Sequence, residues 1–402
     1  MKRIKEKTAT SRAHKKEDGS DIAAYKRKIG RKKRRDLEKF LIMLLVIIAV
    51  AAIVVIVFQR RVYHQYTSLS SVKNEDVQSY GYVQMDDCIL KYGTNGAFLL
   101  DKDQNTVWSQ SFEMTNPVAD VCENTAVVAD KDSTLMYIFT KEKPVGAVET
   151  AQPVLKARVA RTGVVAAVLQ DGEKTWINFY AKDGSLIAEN QTRIDSPGYP
   201  LDITVSPDGK LIMVSYLYAE NSQTNSYVAY YNFSSAGEGE IDNIVAAYTY
   251  EGIVVPQVEY LGDGTSLAFR ENGFSVYEGN DAPKETAKVE IKGKIISTFY
   301  NEKYAGMVFK SDDKDKKYTM QVYDLNGKMK FEKNFNLEYT DIQISNNMII
   351  MNNDTQACMV NLNGREKFNG SFDEGTVKNI FRIASNRYIL VSDKGVHTIK
   401  LK

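Results

Sequence analysis

Only three of the 402 residues are histidine and only three are cysteine, and this scarcity removes most familiar catalytic and metal chemistry. Cys88, Cys122 and Cys358 are odd in number and widely spaced, which argues against a disulfide framework. A bridge between Cys88 and Cys122 stays open beside the simpler reading of buried strand thiols. No CxxC, CxxCH or Cys/His cluster occurs, so metal or haem attachment through cysteine is excluded. Of the histidines, His14 lies in a charged tail, His64 beside an apolar run and His397 near the C-terminus. A Ser/His/Asp or Cys/His nucleophile would have to use His397, which has no G-x-S-x-G elbow near it and reads as an ordinary strand residue. There is no G-x-x-x-x-G-K phosphate loop. Asp101 with Asp103, and Asp312 to Asp315, do not complete a calcium loop and read as solvated turn carboxylates. The 45 acidic residues after position 39 single out no pair of the kind that cleaves glycosides. The expectation is a protein without cofactor or metal, and not an enzyme.

What the sequence does have is polarity along its length. Residues 1–39 carry 16 Lys/Arg against 6 Asp/Glu, which leaves 36 against 45 for the remainder. Between them, Phe40 to Phe58 is an uncharged run of 19 residues, about 28 Å long as a helix and enough to cross a bilayer core. Ala49, Ala51 and Ala52 sit inside the run with six apolar residues after them, unlike the short apolar region and polar mature end of a cleaved leader. An uncleaved anchor is therefore expected, ahead of a cleaved leader or a buried helix. Eight Lys/Arg between Lys26 and Arg35 precede the run, whereas only Arg60 and Arg61 follow it closely. That bias places the N-terminus in the cytoplasm and the C-terminus outside, in a single-pass cell-membrane topology. The same cluster suits anionic lipid or nucleic acid, but topology explains it, and no nucleic-acid partner is expected. The expected organisation is a disordered basic tail (1–39), a transmembrane helix (40–58), a stalk (59–78) and an extracytoplasmic domain (79–402).

The outer part is a chain of short β-branched and aromatic runs separated by Asp-Gly, Asn-Gly and related turns. One hairpin recurs, at Leu100–Trp108, Tyr180–Ile187, Tyr323–Phe331 and Val360–Phe368. Extending its phase puts equivalent strands near Leu100, Phe139, Tyr180, Tyr231, Tyr277, Tyr323, Val360 and Ile399, separated by 39, 41, 51, 46, 46, 37 and 39 residues. This is the period of four-stranded propeller blades. The predicted fold is an all-β, eight-bladed propeller, with seven blades as the alternative, preceded by one transmembrane helix. The chain stops just after a third strand, so the last blade needs a strand from the N-terminal side, and Tyr80 to Met85 is the natural candidate.

The turns followed by Trp108 or Phe331 resemble the blades of quinoprotein-type (PQQ-like) propellers. The whole plan, over roughly residues 38–402, resembles an uncharacterised family of membrane-anchored propeller proteins of Gram-positive bacteria. The resemblance implies fold and topology and supplies no catalytic residues. Two tryptophans only, Trp108 and Trp176, and no adjacent cysteine pair set the chain apart from quinoprotein enzymes.

Antiparallel connections alternate sides, so hairpins joining second to third strands share a face with the inter-blade connections. That face is expected to carry Asp195 to Pro200, the loop Ala219 to Ser226 and the acidic loop Lys310 to Lys317. Asp195, Tyr199, Tyr218, Glu220, Asn221, Gln223, Asp312, Asp313 and Asp315 are the candidate binding residues, loops on a rigid scaffold being favoured recognition positions. Tyr199, Tyr216, Tyr218, Tyr227, Tyr230, Tyr231, Tyr248 and Tyr250 cluster around the first two segments, either as inter-blade packing or as an exposed patch. The function expected is a non-catalytic binding or scaffolding module for a cell-envelope protein, peptide or glycan. An envelope enzyme on the same scaffold, either a quinoprotein-type dehydrogenase or a glycan hydrolase or lyase, and a transmembrane sensor are the alternatives.

Overall fold

The computed structural model describes residues 6–73, 80–193 and 197–402, with side chains from residue 24 onward except at 52, 54–59 and 193. The chain divides into two compact units, 1–61 and 62–402. The first is the helix α1 (Glu6–Arg60). The expected span Phe40–Phe58 lies within it, and the described apolar side chains from Phe40 to Val50 are exposed. Its end, at 52 and 54–58, lies outside the described side chains. Among the described residues no helix is long and apolar enough to cross a membrane.

The second unit consists of eight four-stranded antiparallel sheets. Blade 1 is built from Tyr80–Met85, Cys88–Gly93, Gly96–Leu100 and Thr106–Ser111, and successive blades span 117–149, 154–193, 199–250, 257–290, 295–335, 341–371 and 377–401. Every residue used to phase the repeat falls in a third strand, or at its end, so the eight-blade count holds. Eight hydrophobic clusters lie between neighbouring blades, one at each junction and including that between blades 8 and 1. The ring is closed by core packing.

The recurrent hairpin is a bulged turn. In blade 6 the Asp324 carboxylate accepts from the amides of Asn326 and Lys328 at 3.1 and 3.0 Å, and Gly327 takes φ 77°. Blade 7 repeats this with Asn361 and Gly364 at φ 76°, and in both the strand register shifts at the turn. Left-handed backbone is the reason glycine recurs there. In blade 1 the Asp101 carboxylate performs the same capping at 2.8 Å to two amides.

Two sequence expectations are corrected. The strand completing blade 8 is Tyr66–Lys73, antiparallel to Gly395–Leu401, not Tyr80–Met85, which is the innermost strand of a complete blade 1. The segment read as a stalk is thus largely part of the propeller. Upstream, Tyr63 pairs with Phe368 of blade 7, its amide donating to the Lys367 carbonyl at 2.9 Å. The N-terminal segment therefore straps blades 7 and 8 together. In addition, the supposed loop Ala219–Ser226 is mostly strand. Leu211–Glu220 and Gln223–Asn232 pair throughout, joined by Asn221 and Ser222 at φ 52° and 63°, the left-handed pair of a two-residue hairpin. Long strands, not a long loop, account for much of the 51-residue spacing.

Candidate functional site

The first strands of the blades face one another around the channel, where polar side chains replace the apolar alternation. Arg158 of blade 3 donates from Nη1 to Asp120 of blade 2 at 2.8 Å, from Nη2 to Glu259 of blade 5 at 3.2 Å and from Nε to the Ile203 carbonyl of blade 4 at 3.1 Å. Lys156 pairs with Asp202, whose carboxylate also accepts from the amides of Ile203 at 2.8 Å and Val258 at 2.9 Å. Burial opposes the Arg158 charge, but Asp120, Glu259 and Asp202 outweigh it and hold the guanidinium well above its ordinary pKa. Burial first, then neighbouring Asp202 and Asp120, pushes the Glu259 carboxyl up against the pull of Arg158. This network bridges four blades. A cavity of about 850 Å³ borders it and reaches between blades 5 and 6, where Arg270, Glu271 and Lys294 also line it; its Lys156, Arg158 and Asp202 are committed to one another.

The face carrying second-to-third hairpins and inter-blade connections is as expected. Connection and hairpin are hydrogen-bonded together repeatedly, as in Thr150 N to Thr134 O at 2.8 Å and Glu271 N to Val254 O at 2.9 Å. The sequence candidates nevertheless do not form one site. Asp195 lies outside the described residues. Tyr199 begins the first strand of blade 4, half-buried, its hydroxyl donating to Gln170 at 3.3 Å. Glu220, Asn221 and Gln223 cap the exposed hairpin of blade 4. Asp312 and Asp313 line a cavity of about 500 Å³ between blades 5 and 6, with Asp315 exposed nearby and its amide donating to Asp313 at 2.9 Å. Tyr218 lines a different cavity, between blades 3 and 4.

That second cleft brings aromatic and polar side chains of two blades together. It measures about 410 Å³ and is bordered by Asn190 and Thr192 on blade 3 and by Tyr218, Tyr227, Tyr231 and Ile244 on blade 4, with Pro197 and Asp242 at its ends. Register explains which side chains reach it. Asn190 pairs with Ile177 and Tyr227 with Tyr216, and both partners pack in the junction core, so Asn190 and Tyr227 share that face. Gly198, at φ 123°, brings the connection against the Leu217 carbonyl, where a β-carbon would stand 2.6 Å away. Tyr231 is spent on structure, its hydroxyl 2.7 Å from that of Tyr216. Asn190, Tyr218, Tyr227 and Asp242, by contrast, make no side-chain hydrogen bond among the described residues. Of the sequence candidates only Tyr218 lines this cleft among the described residues; Asn190 and Asp242, which the sequence did not single out, lie on an outermost strand and in the third-to-fourth connection, where no turn motif marks them. Of the eight clustered tyrosines, Tyr216, Tyr230, Tyr231 and Tyr250 are buried between blades and the other four are half-buried.

His397 sits in the closing blade, buried, with Nδ1 2.9 Å from Ser71 Oγ and 3.5 Å from Glu374, and Nε2 3.2 Å from Ser392 Oγ. The set looks like a nucleophile triad on paper. Ser392 is fully buried, however, and its hydroxyl is turned to the Glu374 carbonyl, so the arrangement pins Tyr66–Lys73 to the blade. All three cysteines are free thiols. Among the described residues no group of three or more His, Cys, Asp or Glu is placed to hold a metal ion.

Eight radial antiparallel sheets around a channel define the eight-bladed β-propeller class. Residues 59–401 match the family of unknown function DUF5711, and the chain belongs to that family. No curated protein matches its sequence. Among solved structures it resembles the computationally designed protein Ika8, at 9% identity and TM-score 0.52, over 83% of this chain and 98% of that one. A eukaryotic initiation factor matches at 11% identity and TM-score 0.50, over 82% of this chain and 83% of that one. These likenesses concern the fold alone.

Proposed function

We propose that this chain is a membrane-tethered, extracytoplasmic binding module that holds an envelope protein, peptide or glycan in the cleft between blades 3 and 4. The uncharged run Phe40 to Phe58 and the excess of Lys/Arg before it support the tether and its orientation. The observation that carries the binding reading is the cleft itself. A rigid junction presents aromatic walls together with polar groups that have no partner among the described residues, the usual make-up of a recognition site.

Two measurements test the reading. In a Cys122→Ser background, an impermeant maleimide applied to intact cells should label Ser222→Cys and miss Ser20→Cys; the reverse pattern removes the topology. Capture from the protein's own envelope should yield a reproducible component that is lost with Asn190→Ala combined with Tyr218→Ala. Equal recovery by this folded variant places binding elsewhere on the propeller.

A further inference from the structure

We infer that the ligand of the cleft between blades 3 and 4 is a glycan chain. This rests on the binding reading above and specifies its chemistry. A pyranose ring offers a flat C–H face on one side and a rim of hydroxyls that both donate and accept. The cleft supplies the complement. Tyr218 and Tyr227 give half-buried aromatic surface, and the planar amide of Asn190, two phenol hydroxyls and the Asp242 carboxylate give donors and acceptors with no partner among the described residues. Those groups are spread along the junction, because Tyr218 lies near the hairpin end of blade 4 while Tyr231 and Asp242 lie at the opposite end. Tyr227 to Tyr231 alone spans about 13 Å of strand, longer than one sugar ring, so the groove suits a chain.

Asp242 is the sole ionisable carboxylate in the lining, and no lysine or arginine borders the cleft among the described residues. A sugar hydroxyl uses that carboxylate as a strong acceptor. The fold also places Asp242 and Asn243 in left-handed backbone at φ 55° and 58°, in a short 3₁₀ segment (Ile241–Asn243) whose Ile241 is 84% exposed.

The test uses the full-length chain in detergent and three soluble probes, cellotetraose, chitotetraose and maltotetraose, titrated calorimetrically. At least one should bind with a Kd below about 1 mM. Asn190→Ala combined with Tyr227→Phe should weaken that binding by about tenfold, the loss of two hydrogen bonds, with the melting midpoint held. Failure of all three probes to bind at about 5 mM overturns the inference, as does binding that the double variant leaves unchanged. If envelope capture is lost with Asn190→Ala/Tyr218→Ala while all three sugars fail, the cleft remains the binding site and the glycan assignment alone falls.

Discussion

The junctions between blades 7 and 8 and between blades 3 and 4 face the same packing problem and end differently. At the first, the N-terminal segment lays itself into the outer cleft. Tyr63 and Tyr66 pack on the shared core, the Tyr66 ring lies 5.1 Å from Phe372, and its hydroxyl accepts the Asp373 amide at 3.0 Å. The Lys402 amide donates to the Gln65 carbonyl at 2.8 Å, so the chain's end is tied in too. At the second, tyrosines line the cleft as well, but nothing from the described chain fills it, and Asn190, Tyr218 and Tyr227 keep their polar groups free. The junction that holds the ring shut satisfies its own polar groups, whereas the other leaves polar groups available among the described residues.

The sharpest way to break the sealed junction is to remove its partner strands. Deleting residues 378–402 takes away three strands of blade 8 and leaves Tyr66–Lys73 unpaired, so the full-length chain should lose its cooperative thermal transition. A retained sharp melt would mean that the blades behave as an open array rather than a ring. Second in size is the channel network, which holds blades 2 to 5, and with them the open cleft, in fixed register. Arg158→Ala leaves Asp120, Asp202 and Glu259 without their shared guanidinium, and about 3–5 kcal/mol of denaturant stability should go with it. A loss near zero would show that Lys156 and solvent suffice.

Smaller effects compare the two clefts directly. Tyr66→Ala should cost about 2 kcal/mol, because a packed ring and its hydrogen bond disappear. Tyr218→Ala, at the rim of the open cleft, should stay within about 0.5 kcal/mol. Equal costs would erase the distinction. Smallest is a pH effect at the seal. Burial lowers the His397 pKa, with Lys394 acting in the same direction and Glu374 opposing. A group lowered in the folded state takes up protons on unfolding, so its stabilising share is complete above the ordinary histidine pKa of about 6.5 and fades as pH falls below it. Between about pH 7.5 and about pH 5, the melting midpoint of wild type should therefore fall more than that of His397→Gln; parallel curves would assign the acid sensitivity to other groups.

The ring was legible in the sequence because the third strands are buried on both sides and their hairpins repeat a bulged turn. Tyr180, Tyr277 and Val360 carry the phase in their burial and Gly327 and Gly364 in their backbone. The closing strand was not legible for the opposite reason. Tyr66–Lys73 is polar and exposed at all but its first residue, so no alternation distinguishes it from a linker. The lining of the cleft between blades 3 and 4 was only half visible. Tyr218 stood out by composition, but Asn190 reaches the cleft through strand register, and Asp242 through a 3₁₀ turn that no short motif announces. Asp312 and Asp313 share the predicted face with Tyr218 yet line another junction, because a face is a property of topology and a cleft is a property of which blades are neighbours.

The most direct test of the central claim is to seal the open junction as the N-terminal tyrosines seal the other. Asn190→Trp fills the cleft between blades 3 and 4 with a ring on a strand position that accepts aromatics. Calorimetric titration with the tetrasaccharide that binds wild type should show binding abolished while the melting midpoint is unchanged or raised. Binding that persists in a folded Asn190→Trp chain would contradict the account and move the site off this cleft.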